Sequence, residues 1–201
     1  MEERLRGTSP GGDPLDPWIA RLAQEQADAL RLHMPASLAR AAVMVPLVEH
    51  PDGLTVLLTQ RAGHLKKHAG QISFPGGRIE PGDAGPWEAA LRETHEEIGL
   101  APEHATLAGY LRDHLVLTGY RITPVVAFVR PGFELRLDVT EVEDVFEVPL
   151  AFVLDPVNHV PRMRSFAGHD FLTHDIPYLD RHIWGATAGM LLSLYELLKE
   201  A

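Results

Sequence analysis

Three glutamates, Glu93, Glu96 and Glu97, stand at i, i+3 and i+4. On a helix that spacing puts all three carboxylates on one face. The surrounding residues predict such a helix over 86–98: Pro86 suits a first turn and Gly99 suits a C-terminal cap. The acids then fall in its last two turns, where the helix dipole gathers partial negative charge and like charges repel. Between residues 80 and 97 there are six acids and one base, Arg92. A purely structural ion-pair cluster needs more cations than that. A divalent cation supplies the offset, and hard carboxylate oxygens favour Mg²⁺, Mn²⁺ or Ca²⁺ over zinc.

The stretch before it has the opposite character. Residues 53–79 contain Arg61, Lys66, Lys67 and Arg78 and no acid. In a chain of net charge −10, an acid-free run beside an acid-rich one offers an anion site next to a cation site. Charge runs are most often solvated faces, so geometry has to decide. The eleven histidines give no comparable pattern. His64 and His68 share helical spacing, but no third ligand is signalled. His68 is expected to line the basic strip or the surface, and His169-Asp170 and His174-Asp175 to lie in loops. Ser73 and Ser165 lack the context of a nucleophile elbow.

The elements that must position these groups fit one α+β domain. The chain has 201 residues, 45% apolar and 23% charged, ample for one sizeable core. Its acidity argues against a nucleic-acid partner, which needs a basic face. The absence of cysteine excludes disulfides, thiolate metal sites and cysteine nucleophiles. The N-terminal residues lack the apolar run of a secretory signal. The most apolar stretch, 183–198, is broken by Gly185, Gly189, Ser193 and Glu196 and is short for a bilayer. A cytoplasmic protein with no membrane partner is the expectation. Residues 1–37 are expected to form a frayed leader, 1–12, and a helix from Asp16-Pro17 to about Leu32. The domain proper, 38–201, is expected to carry strands over 41–48 and 54–59 joined at Pro51-Asp52-Gly53. A connection over 61–70 and a turn at Pro75-Gly76-Gly77 follow. Strands at 107–111, 122–129 and 145–148, a short helix at 149–154 and a last helix over 183–198 complete the reading.

With these residues in view, the chain closely resembles the Nudix box. That pattern is Gly, five residues, Glu, seven residues, then Arg-Glu-U-x-Glu-Glu-x-Gly-U, with U aliphatic. Gly77 to Asp83 and Arg92-Glu93-Thr94-His95-Glu96-Glu97-Ile98-Gly99-Leu100 follow it. Thr94 replaces an aliphatic residue, Asp83 replaces the first Glu, and eight residues separate Asp83 from Arg92. Upstream, Leu57-Leu58-Thr59-Gln60-Arg61-Ala62, Lys66, Gly70 and Phe74-Pro75-Gly76-Gly77 resemble the signature of the coenzyme A diphosphatase branch, with Lys66 where that branch has Arg. Ile183-Trp184-Gly185 and Thr187-Ala188-Gly189 are also similar to it.

The resemblance implies an α/β/α sandwich around a mixed β-sheet, with the box as loop, helix and loop. It implies hydrolysis of the diphosphate of coenzyme A or its derivatives, with Mg²⁺ or Mn²⁺, to 3′,5′-ADP and 4′-phosphopantetheine or its acylated form. Glu93 and Glu97 would hold the metal, with Glu96 contributing and the Gly77 carbonyl completing the shell. Arg92 would point away from that face and anchor the helix on Asp83 or Glu80. The general base would be a box glutamate or Glu141, with Glu143 close behind. Arg61, Lys66 and Arg78, with His68 beside them, would hold phosphates that do not react. Another nucleotide substrate, such as ADP-ribose or NADH, is the alternative. A non-catalytic nucleotide-binding module is a more distant one. The N-terminal helix would cover the active site or a second copy in a homodimer.

Overall fold

The computed structural model describes residues 1–11, 32–33, 37–116 and 119–199. The helix expected from Asp16 falls, up to residue 31, outside the described residues. Eight strands form the main sheet: β1 Ala39–His50, β2 Gly53–Arg61, β3 Ile72–Ser73, β4 Gly76–Arg78, β5 Ala105–Tyr110, β6 His114–Val116, β7 Tyr120–Val129 and β8 Val142–Pro149. The central order is β3-β2-β1-β7-β5, with β4 on β1, β6 on β7 and β8 on β2. Only β1 and β7 run parallel among these pairs, from Ala39 opposite Tyr120 to Val48 opposite Val129. The sheet is therefore mixed.

The β1 sequence explains the layering. Val43, Val45 and Leu47 point into one apolar cluster, while Ala42, Met44 and Val48 point into another on the opposite face. A strand covered on both faces reads as an unbroken apolar run. The second cluster is closed by the helix α2, Pro86–Ile98. The first is closed by α3, Leu150–Leu154, and α4, Gly185–Lys199. Helices on both faces give the expected sandwich. Pro46 sits inside this central strand without breaking it. The neighbouring Met44 N–H turns toward Pro75 O, 2.9 Å away, and Pro46 shares that edge. Along that edge β4 pairs with residues 41–43 and β2 with 47–50, so the donor proline lacks falls in the gap between partners.

The structure departs from the sequence expectations at four places. Residues 1–12 are not all frayed: α1 spans Glu2–Arg6, and Leu5 is fully buried in the α4 cluster. Arg4 donates to Leu197 O and Leu198 O, carbonyls left over at the end of α4, and Thr8 Oγ1 accepts from Tyr110 N. Gly76 and Gly77 belong to β4 rather than a turn, because the missing side chain of Gly76 lets this strand close on β1 and that of Gly77 leaves room for Glu93. Residue 183 ends a strand, not a helix start. A second sheet, β9 Val160–Phe166, β10 His169–Tyr178 and β11 Arg181–Ile183, stands where loops were expected, so His169-Asp170 and His174-Asp175 lie on β10. Its β9–β10 turn uses Ala167 and Gly168, both with positive φ, the two-residue geometry that suits strand twist. Arginines at 162 and 164 interrupt the apolar alternation there, and Arg164 pairs with the buried Asp175, 2.9 Å away. Among the described residues no helix is long and apolar enough to cross a membrane.

Leu5→Ala tests the seating of α1. Truncating a fully buried leucine costs about 3 kcal/mol where the site cannot collapse, so the urea midpoint is expected to fall clearly. An unchanged midpoint would mean that residues 1–6 contribute nothing to the core.

Candidate active site

The helix α2 begins at Pro86 and ends on Gly99, which adopts φ 72°, left-handed, and returns its N–H to His95 O. Ala89, Ala90, Thr94 and Ile98 form its buried side. Thr94, the polar substitute for an aliphatic residue, is 1% exposed, and its hydroxyl finds no partner among the described residues. Beyond Gly99 the chain returns along the helix end: Arg136 N donates to Ile98 O and Asp138 N to Glu97 O, each at 2.9 Å. Those are two of the carbonyls a helix C-terminus leaves open.

The three glutamates separate by depth. Glu97 is 5% exposed and accepts a hydrogen bond from Gly76 N at 3.1 Å. Burial pushes its carboxyl up to about 7. The Gly76 N–H opposes this, the charges of Glu141 and Glu93 add to it, and Arg61 opposes it. Glu93 is also raised, first by burial, with Arg92 opposing and Glu96 and Glu141 adding. Its carboxylate lies against Gly77, on the space a Cβ at that residue would fill. Glu96 stays at the rim and pairs with Arg92 at 3.0 Å.

Arg92 departs from its expected orientation. It does pair with Asp83, through Nε and Nη2 at 3.1 and 3.0 Å, and Nη2 also donates to Arg78 O. Yet it does not point away from the carboxylates, because Nη1 reaches Glu93 at 2.9 Å as well as Glu96. One guanidinium has five donors, enough to bind the loop acid and both glutamates together. Hydrogen bonds from Arg92, then Glu80 N, hold the Asp83 carboxyl below its usual range, and Asp83 in turn raises Arg92. The extra loop residue does not prevent Asp83 from reaching its partner.

The other residues named from the sequence fall into three groups. Arg61 and Glu141 act on the buried carboxylates: Arg61 lowers Glu97, and Glu141 raises both Glu93 and Glu97. Arg61 Nε is buried and unpaired among the described residues. Lys66 and His68 are exposed on the 62–71 connection, with His68 Nδ1 2.8 Å from Gln71 Oε1. Glu143 lies beside Gly63, 3.6 Å from where a Cβ would stand. Arg78 follows Gly77 on β4, so alternation sends its side chain to the face away from Glu93. There Tyr120 Oη accepts from its Nε and Nη2 at 3.1 and 2.9 Å. Sequence reasoning missed Tyr120. A tyrosine at a strand start carries no signal until β1 and β7 are known to be neighbours.

Several features fit a divalent cation. Glu93, Glu97 and Glu141 reinforce one another's negative charge, their oxygens are hard donors, and the glycine at 77 leaves a cradle filled by a carboxylate. Among the described residues no three such side chains are already gathered into a metal cage. Arg92 meanwhile supplies the counter-charge to Glu93 and Glu96.

Residues 38–167 match the NUDIX domain model. The chain is 40% identical to Nudix hydrolase NudL of Enterobacter sp. (strain 638) over 157 residues, covering 77% of this chain and 80% of that one. NudL of Escherichia coli (strain K12) is likewise 40% identical, over 156 residues, with the same coverage. Among solved structures, the NUDIX domain of Shewanella oneidensis NrtR, complexed with ADP ribose, superposes with a TM-score of 0.51. That likeness is at 19% identity and covers 90% of this chain and 97% of that one, which bears on fold alone.

Two adjacent glycines should fail differently. The atoms nearest to a Cβ on Gly77 are those of the Glu93 carboxyl end, a side chain, with no backbone nearer. Gly77→Ala is therefore expected to keep its melting temperature within a few degrees and lose most turnover. A Cβ on Gly76 overlaps the Ala42 backbone, and φ there is 149°. Gly76→Ala is expected to lower the melting temperature sharply. Equal thermal effects from the two would contradict the division of roles.

Proposed function

The chain belongs to the Nudix family of hydrolases, which act on nucleoside diphosphate derivatives with the help of divalent metals, and from that premise we propose that it hydrolyses the diphosphate of coenzyme A or a coenzyme A derivative. Arg61 is the observation that carries the substrate reading. It belongs to the Leu57–Ala62 stretch that resembles the coenzyme A signature. It keeps a buried, unpaired Nε and acts on Glu97 across the site. An arginine with donors to spare beside metal-binding carboxylates suits a phosphate group.

Glu93 and Glu97, with the Gly77 carbonyl, would hold Mg²⁺ or Mn²⁺, and Glu96 would support them from the rim. Such an ion would supply positive charge against the diphosphate and make water easier to deprotonate. Arg92 ties Glu93 to the Asp83 loop, so that the carboxylate and the loop before the helix hold one another in place. Glu141 takes the proton of the attacking water. Arg61 grips a phosphate oxygen. Lys66 and His68, exposed on the connection, meet the more distant phosphates, a 3′-phosphate among them; Arg78, on the face away from Glu93 and bonded to Tyr120, could meet only a part of the substrate that reaches round to that face. Lys66 offers a point charge where an arginine would offer a fork.

Purified protein with coenzyme A and Mg²⁺ or Mn²⁺ is expected to yield 3′,5′-ADP and 4′-phosphopantetheine by mass spectrometry, and EDTA to abolish both. Glu97→Gln should reduce turnover by more than the ~100-fold typical of losing an outer-shell partner. Cleavage of ADP-ribose with none of coenzyme A would remove the substrate assignment and leave the chemistry. Binding of coenzyme A without turnover by any metal-loaded form would favour a binding module.

A further inference from the structure

Glu141 stands in a segment without regular structure, and Glu141, Asp138 and Thr140 are all exposed. Val139 is 73% exposed, so this turn gains nothing from the core. It is nevertheless heavily bonded. Asp138 Oδ1 accepts from Thr140 N at 2.8 Å and from Thr140 Oγ1 at 2.6 Å. Asp138 O accepts from Glu141 N at 2.9 Å and Val142 N at 2.8 Å. The turn is fastened on two sides. Asp138 N holds Glu97 O on the helix, and Ala62 N, next to Arg61, holds Glu141 O, both at 2.9 Å. The turn thus spans from the helix that carries Glu93 and Glu97 to the strand that carries Arg61. The Thr140 bonds, side chain first and then backbone, keep the Asp138 carboxyl below its usual range, so it remains a charged acceptor.

We infer that Asp138 and Thr140 are positioning residues which set the Glu141 carboxylate relative to Glu93 and Glu97, an inference that rests on the proton-accepting role given to Glu141 above. A charged residue on an exposed loop samples many arrangements unless its backbone is fixed. Here the backbone bonds are joined by two bonds to a side chain, from the Thr140 N–H and the Thr140 hydroxyl to the Asp138 carboxylate. Losing the hydroxyl loosens Glu141 while leaving the metal-holding glutamates and Arg61 in place. Misplacement of a reacting group by about 1 Å can cost up to ~100-fold in rate.

The test is a double-mutant cycle, read by kcat, KM and melting temperature on coenzyme A, or on ADP-ribose if that is the compound cleaved. Thr140→Ala is expected to lower kcat about tenfold with KM and melting temperature unchanged. Thr140→Ser, which keeps the hydroxyl, should restore it. Asp138→Asn, which keeps the Oδ1 acceptor, should lie near wild type, and Asp138→Ala should behave as Thr140→Ala. In a Glu141→Gln background, itself expected to lose about a hundredfold or more, Thr140→Ala should cost nothing further. Multiplying losses, or a KM rise in place of the kcat fall, would overturn the positioning role while leaving Glu141 as the base. A Glu141→Gln enzyme with wild-type kcat would remove the role of Glu141 and the inference together.

Discussion

The close approach of helix α2 to strand β4 is the constraint on which the rest depends. The Gly76 N–H reaches Glu97, and the Glu93 carboxylate occupies the space beside Gly77. Neither contact survives a side chain on the strand. Two acids are thereby pressed into a place where burial and mutual repulsion oppose their ionisation. The surrounding architecture reads as a set of offsets to that cost. Arg92 is drawn across the helix surface to serve Asp83, Glu93 and Glu96 at once, and Arg61 points in from the end of β2. An apolar sandwich supplies the rigidity. With Ala89 and Ala90 against the sheet, the helix axis lies close enough for carboxylates to meet backbone.

Strain of this kind marks sites that are built for a task rather than for stability. The charge that makes the site costly is also what gives it affinity for a cation.

Much of this was legible in the chain. The 86–98 helix and its left-handed cap at Gly99 follow from local rules, because caps and proline act within a few residues. The pairing of Arg92 with the preceding loop came from the family resemblance, which left Asp83 and Glu80 open, and the structure shows Asp83. The β1–β2 hairpin was equally plain from Pro51-Asp52-Gly53. What escaped depended on partners far away in sequence. Gly76-Gly77 looks like a turn until β1 is known to lie alongside, and then it is a strand. Arg92 looks directed outward until the depth of Glu93 is known. The β9–β10 hairpin was hidden because Arg162 and Arg164 stand where a half-buried strand would place apolar residues. Their charge is explained by Asp175, eleven residues beyond Arg164.

The bond from Arg4 to the carbonyls of Leu197 and Leu198 spans 193 and 194 residues. A helix of five residues has almost no stability by itself. Leu5 and Arg4 therefore hold their places only when the end of α4 is there to receive them. The sandwich can assemble behind them, from a β1–β2 hairpin of short range to the parallel β1–β7 pair. A docked α1 thus reports that the C-terminal helix is in place, a link between the two ends of the described structure.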